Sequence, residues 1–172
     1  MINLRKRVDV VHVLIIENNQ IGHLPSRAFG SVPVNRLFIE NNGIASIDRN
    51  AFAGIEDFVT EIYVKEPALQ KLPADSIDFL RRLSVFSVEE SQISEMPRVS
   101  GMRELKLLKV DGSNIREMKA ESLKNLPALR YFHLAQSKLG RLDIGVLEDL
   151  HYLVLANFTG NAINWIHPRA FR

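Results

Sequence analysis

One pattern limits what this chain can become: apolar residues return to the same five places every 22 to 25 residues. The template reads Leu-x-x-Leu-x-Leu-x-x-Asn-x-Leu-x-x-Leu, with positions one, four, six, eleven and fourteen apolar. Val11, Leu14, Ile16, Ile21 and Leu24 fill it first, with Asn19 in the ninth place. It restarts at Val34, Val59, Leu83, Leu105, Leu129 and Leu153, so seven repeats offer 35 such positions, and all 35 hold apolar residues. A chain that is 46% hydrophobic does not do this by chance.

Each unit has a physical reading. Positions four and six alternate around position five, the period-two pattern of a strand with one buried face. At position nine the chain turns, and backbone groups of neighbouring coils need a partner there. Asn supplies donor and acceptor on one short side chain. It stands at Asn19, Asn42 and Asn161, with Ser91, Ser113 and Ser137 as shorter substitutes. Pro67 is the outlier, and since it cannot donate it predicts an irregular third coil. No coil buries its own apolar face; stacking coils bury each other's. With parallel strands about 4.8 Å apart, seven coils make an arc roughly 30 Å long.

A second signature follows position fourteen. Pro25-Ser26-Arg27-Ala28-Phe29 is echoed by Ala51-Phe52 and Pro168-Arg169-Ala170-Phe171, with Ile77 and Leu123 in the Phe place of other repeats. These residues predict an apolar column on the convex side. The fourth repeat, passing through Pro97, Arg98 and Val99, is the shortest and lacks the element.

These repeats resemble the extracellular animal type of leucine-rich repeat, whose consensus continues into Leu-Pro-x-x-Ala-Phe; the match covers residues 11 to 171. In the mix of short and long repeats and the drift from Asn to Ser, they are also similar to secreted arthropod members such as the non-catalytic subunit of a shrimp luciferase complex. The expected architecture is an α/β leucine-rich-repeat solenoid. It would be a right-handed arc of about seven coils, with a parallel β-sheet on the concave face and loops, short helices or 3-10 turns on the convex face. Residues 1–10 then form an N-terminal stub or the remnant of a preceding repeat, and 11–172 the repeat domain. Two departures from the family pattern, the absence of Cys-rich caps and a stop one residue past Phe171, predict a fragment cut within its last repeat. The resemblance implies a non-enzymatic module that binds proteins on its concave face, in a secreted or cell-surface protein. The absence of Cys leaves an intracellular scaffold or enzyme-regulating subunit as the alternative.

The concave face is formed by positions three, five, seven and eight. They bring together the acids Glu17, Glu40, Glu61, Glu66, Glu89, Glu90 and Asp111, the bases Arg36, Lys65 and Lys109, and the rings of Phe38, Tyr63, Tyr131 and His133. Seven acids against three bases give this face −4 on a chain of net charge +2. That mixture suits a protein partner with a basic patch and argues against nucleic acid. Leu4-Arg5-Lys6-Arg7 is a short basic cluster that reads as solvated. Asn157-Phe158-Thr159 is an N-glycosylation acceptor triplet on the open strand face.

Enzymatic signatures are missing. There is no Cys nucleophile, no Gly-rich phosphate loop and no nucleophile elbow, and the five His fall at different template positions. Neither an enzyme, a cofactor nor a metal is expected. The basic and apolar opening, Met1 to Ile16, mimics a signal peptide, but it lacks a small-residue cleavage site and fits the repeat. The longest stretch without Asp, Glu, Lys or Arg, Leu150 to Pro168, holds three Asn, a Gly and a Pro and would span a membrane poorly. Val11, Ile16, Phe158 and Ile163 lie in the end coils, so self-association through exposed apolar surface is expected.

Overall fold

A computed structural model describes residues 9–30 and 32–171. Seven parallel strands form one sheet: β1 (Val11–Glu17), β2 (Val34–Glu40), β3 (Glu61–Lys65), β4 (Val85–Glu89), β5 (Leu107–Asp111), β6 (Tyr131–His133) and β7 (Leu155–Asn157). They lie side by side in chain order. The pairing register is the repeat itself. Phe38 faces Tyr63, Tyr63 faces Ser87, Ser87 faces Lys109, and Lys109 faces His133, all at position five. The template is therefore in register across the sheet, and its inward positions are buried: Leu37, Ile39, Ile62, Val64, Phe86, Val88, Leu108, Val110, Phe132 and Leu134.

Beyond each strand the chain returns through turns. Two short parallel ladders continue the stacking, His23–Leu24 with Ser46–Ile47 and Arg141–Leu142 with Trp165–Ile166. Among the described residues one 3-10 helix, Ala120–Leu123, interrupts the turns. On the convex side the rings of Phe29 and Phe52 stack at 6.1 Å, and Ile77 and Leu123, in the same place of later repeats, are buried. Gly54 has φ +100°, and a Cβ there would lie 2.7 Å from the Cα of Gly30. Only glycine lets these two turns approach so closely.

The end coils differ from the middle. Val11 is 37% exposed and Phe171 59%, whereas Ile16, Phe158 and Ile163 are partly covered. No helix among the described residues is long and apolar enough to cross a membrane. The basic cluster Leu4 to Arg7 lies outside the described residues.

At position nine the predicted ladder forms, but its third rung is new. Asn19 donates through its backbone N–H and Nδ2 to Asn42 Oδ1, at 3.2 and 3.1 Å. Asn42 in turn donates its N–H and Nδ2 to the carboxylate of Glu66, at 2.8 and 2.9 Å, and the N–H of Ile44 reaches the same carboxylate at 3.2 Å. Glu66 is fully buried. Its expected place on the concave surface is thereby corrected, and the reason is its neighbour. Position eight takes a left-handed backbone at Asn18, Asn41, Glu90, Gly112, Gln136 and Gly160, with φ from 49° to 71°, but not at Glu66. Glu66 precedes Pro67, and a residue before proline is driven to extended conformations. The side chain turns inward and fills the acceptor role that proline vacates.

Candidate functional site

Alternation along the strands places positions three, five and seven on the concave surface, in rows that cross the sheet. In the row at position five, Phe38 and Tyr63 stack with centroids 4.6 Å apart and planes 4° from parallel. Arg36 lies over the Phe38 ring at 5.7 Å and donates from Nε to Glu61 Oε2 at 2.8 Å. The Tyr63 hydroxyl donates to the same oxygen at 3.0 Å. Burial, then the hydrogen bond to Glu61, raises the Tyr63 pKa above its ordinary value. Glu61 likewise raises that of Arg36. One carboxylate thus holds an aromatic pair and a guanidinium in fixed orientation. Such contact area loses little entropy on binding.

The row at position seven is acidic but largely bridged. Lys65 lies 3.1 Å from Glu90 and 3.6 Å from Glu40, and both carboxylates, Glu90 the more, raise its pKa. Lys109 reaches Glu89 at 2.7 Å and Asp111 at 3.8 Å. Burial pushes the Glu89 carboxyl up, yet hydrogen bonds from Lys109 and Ser87 outweigh it and hold the group below its ordinary range. Asp111 Oδ1 also accepts the N–H of Ala135 at 2.7 Å. Glu17 and Glu90 remain exposed at the rim. With Glu66 buried, the accessible face carries −3.

Of the residues expected here, the structure therefore gathers all but Glu66 on one sheet surface. Tyr131 is exposed on β6 and His133 half-buried beside it. Asn157 occupies β7 as expected, half-buried; its Oδ1 accepts the N–H of Thr159 at 3.0 Å. The face also has apolar members, Val13, Ile15 and Leu155, which its charge and aromatic pattern does not single out. They are exposed at positions three and five, where the template already placed them. Ile15 pairs with Phe38 and so extends the aromatic row.

A Ser–His–Asp juxtaposition joins the first two coils. His23 Nδ1 is 2.8 Å from Ser46 Oγ, its Nε2 is 3.4 Å from Asp48 Oδ1, and Asp48 Oδ2 accepts the N–H and hydroxyl of Ser26. The His23 and Asp48 side chains are each almost half exposed, so this set reads as a clasp between coils one and two.

No family model matches the chain. Among curated proteins it is similar to asporin of Bos taurus, 27% identical over 133 residues that make up 77% of this chain and 34% of asporin. Among solved structures it resembles a chain of the crystal structure of a TLR13–ssRNA13 complex, with TM-score 0.77 and 19% identity. That alignment covers 94% of this chain and 23% of the other. The chain thus spans about a third of one relative and a quarter of the other. The fold is the leucine-rich-repeat solenoid. Neither similarity supports the narrower likeness to a luciferase subunit.

Proposed function

We propose that this chain is a non-enzymatic protein-binding module whose concave face receives a partner with a basic contact patch, within a secreted or cell-surface protein. The observation that carries the reading is the Phe38–Tyr63 stack, held by Glu61 and bordered by the acidic row from Glu17 to Asp111. Aromatic rings with fixed geometry suit the energetic centre of an interface, and rim charges steer encounter more than they add affinity. A face with net negative charge disfavours a polyanion. The extracellular setting rests on the likeness of the repeats to the extracellular animal type.

The test uses two concave variants, Phe38→Ala and the pair Glu17→Lys with Glu40→Lys, and one flank variant, Lys138→Ala. A partner bound by the wild-type chain should lose affinity with Phe38→Ala. It should associate more slowly, and with less dependence on salt, with the charge-reversed pair. Lys138→Ala should leave both unchanged. A partner that ignores the concave variants would move the binding surface elsewhere and overturn the reading.

A further inference from the structure

The flank between the concave and convex sides carries a groove with its own chemistry. Depressions of about 620, 420 and 270 Å³ meet at Ser94 and Glu95, on the shortest coil of the solenoid. That coil also lacks the convex apolar residue that Ile77 and Leu123 supply in the coils beside it. The largest of these three depressions runs from Glu95 to Trp165, the chain's one tryptophan. Its floor is opened by Gly140, which is joined by backbone hydrogen bonds to Arg116 on one side and Asn164 on the other. The Gly140 φ is not in the left-handed region, and a Cβ there would meet nothing within 4 Å. The backbone does not require this glycine; its missing side chain is space.

We propose that this groove binds a neutral oligosaccharide. Trp165 is 43% exposed, steadied by Arg141 over its ring at 4.7 Å and by the edge of His167 at 5.6 Å. Along the groove that ends at it stand Glu95, Glu117, Arg116 and Asn164, whose side chains make no hydrogen bond or ion pair among the described residues. A pyranose has an apolar C–H face that stacks on an indole and a rim of hydroxyls that both donate and accept. Planar carboxylate, amide and guanidinium groups match that rim. Arg141 is itself paired with Asp143, which leaves Glu95 and Glu117 against Arg116, so a polyanion would meet two carboxylates in the groove and a polycation a guanidinium. Coils repeat about every 4.8 Å, so successive rows can address successive sugars of a chain.

Because Trp165 is the one tryptophan, its emission reports the site directly. The full chain is titrated with neutral tetrasaccharides of glucose, mannose, galactose and N-acetylglucosamine, and with a heparin tetrasaccharide. At least one neutral probe should shift the emission saturably. Gly140→Leu, which fills the groove, and Glu117→Ala, an exposed change that leaves the core intact, should each weaken that binding about tenfold or more. No response to any neutral probe, tighter binding of heparin than of every neutral probe, or wild-type affinity in Glu117→Ala and a folded Gly140→Leu would overturn the proposal.

Discussion

Coils one to three and coils five to seven satisfy the same backbone groups at the strand ends with different chemistry. In the first region the side chains reach from coil to coil without a gap, Asn19 to Asn42 to Glu66, and Asn42 Nδ2 also donates to the carbonyls of Ile16 and Glu40. In the second region serine is too short to do all of this. Ser113 and Ser137 pair through their hydroxyls at 2.9 Å, Asp111 takes the N–H of Ala135 from position seven, and Asn161 takes that of Leu139. Between them, in coil four, the buried hydroxyl of Ser91 has no partner among the described residues. The ladder is therefore two ladders. The obligation to pair buried backbone groups is common to every coil, but which side chain meets it depends on reach and on the conformation of one turn.

The largest effect expected from breaking this contrast is at Glu66. Glu66→Ala removes the acceptor for the N–H groups of Asn42 and Ile44 at a buried site and should cost about 3–5 kcal/mol in denaturant unfolding. Ser137→Ala should cost about 1 kcal/mol. The cause assigned to Pro67 sharpens the test. In a Pro67→Asn background position nine regains its asparagine and position eight its freedom to turn outward, so the same Glu66→Ala change should cost under about 1 kcal/mol. Equal costs in the two backgrounds would mean that proline does not direct Glu66 inward.

A smaller effect lies at the seam between the regions, where Lys109 of coil five reaches back to Glu89 of coil four. The Glu89 pKa is held below its ordinary value in the folded chain. Its contribution is therefore present above the ordinary carboxylate range and is lost as pH falls through the depressed folded value. Unfolding measured against pH should show wild type more stable than Glu89→Gln near neutrality, by less than about 1 kcal/mol, with the difference closing in acid. A gap that widened on acidification would reverse the sign of this interaction. The smallest effect belongs to Ser91. Since its hydroxyl is unpaired, Ser91→Ala should change stability by less than about 0.5 kcal/mol or raise it slightly. A loss above about 1 kcal/mol would show that the two ladders are joined there.

Much of the architecture was readable from periodicity. The template positions at Leu37, Ile62, Phe86, Leu108 and Phe132 name the buried column and, by alternation, the open face at Phe38, Tyr63, Lys109 and His133. The same template marked Pro67 as irregular and gave repeat four as short. Burial repeats along a solenoid because every coil meets the same neighbours, so a one-dimensional pattern is enough to place the strands, their register and the surface they share. What fills the gaps between coils is a different matter. The inward turn of Glu66, the bridging of acids by Lys65 to Glu90 and by Lys109 to Glu89, the anchoring of Arg36 by Glu61, and the groove that Gly140 opens beside Trp165 all join residues about 20 to 25 places apart in the chain. Their contacts depend on side-chain length, on a single backbone turn and on the space an absent side chain leaves, none of which has a period. Repetition in the sequence decided the frame, and only stacking in three dimensions decided which charges, rings and hollows that frame presents.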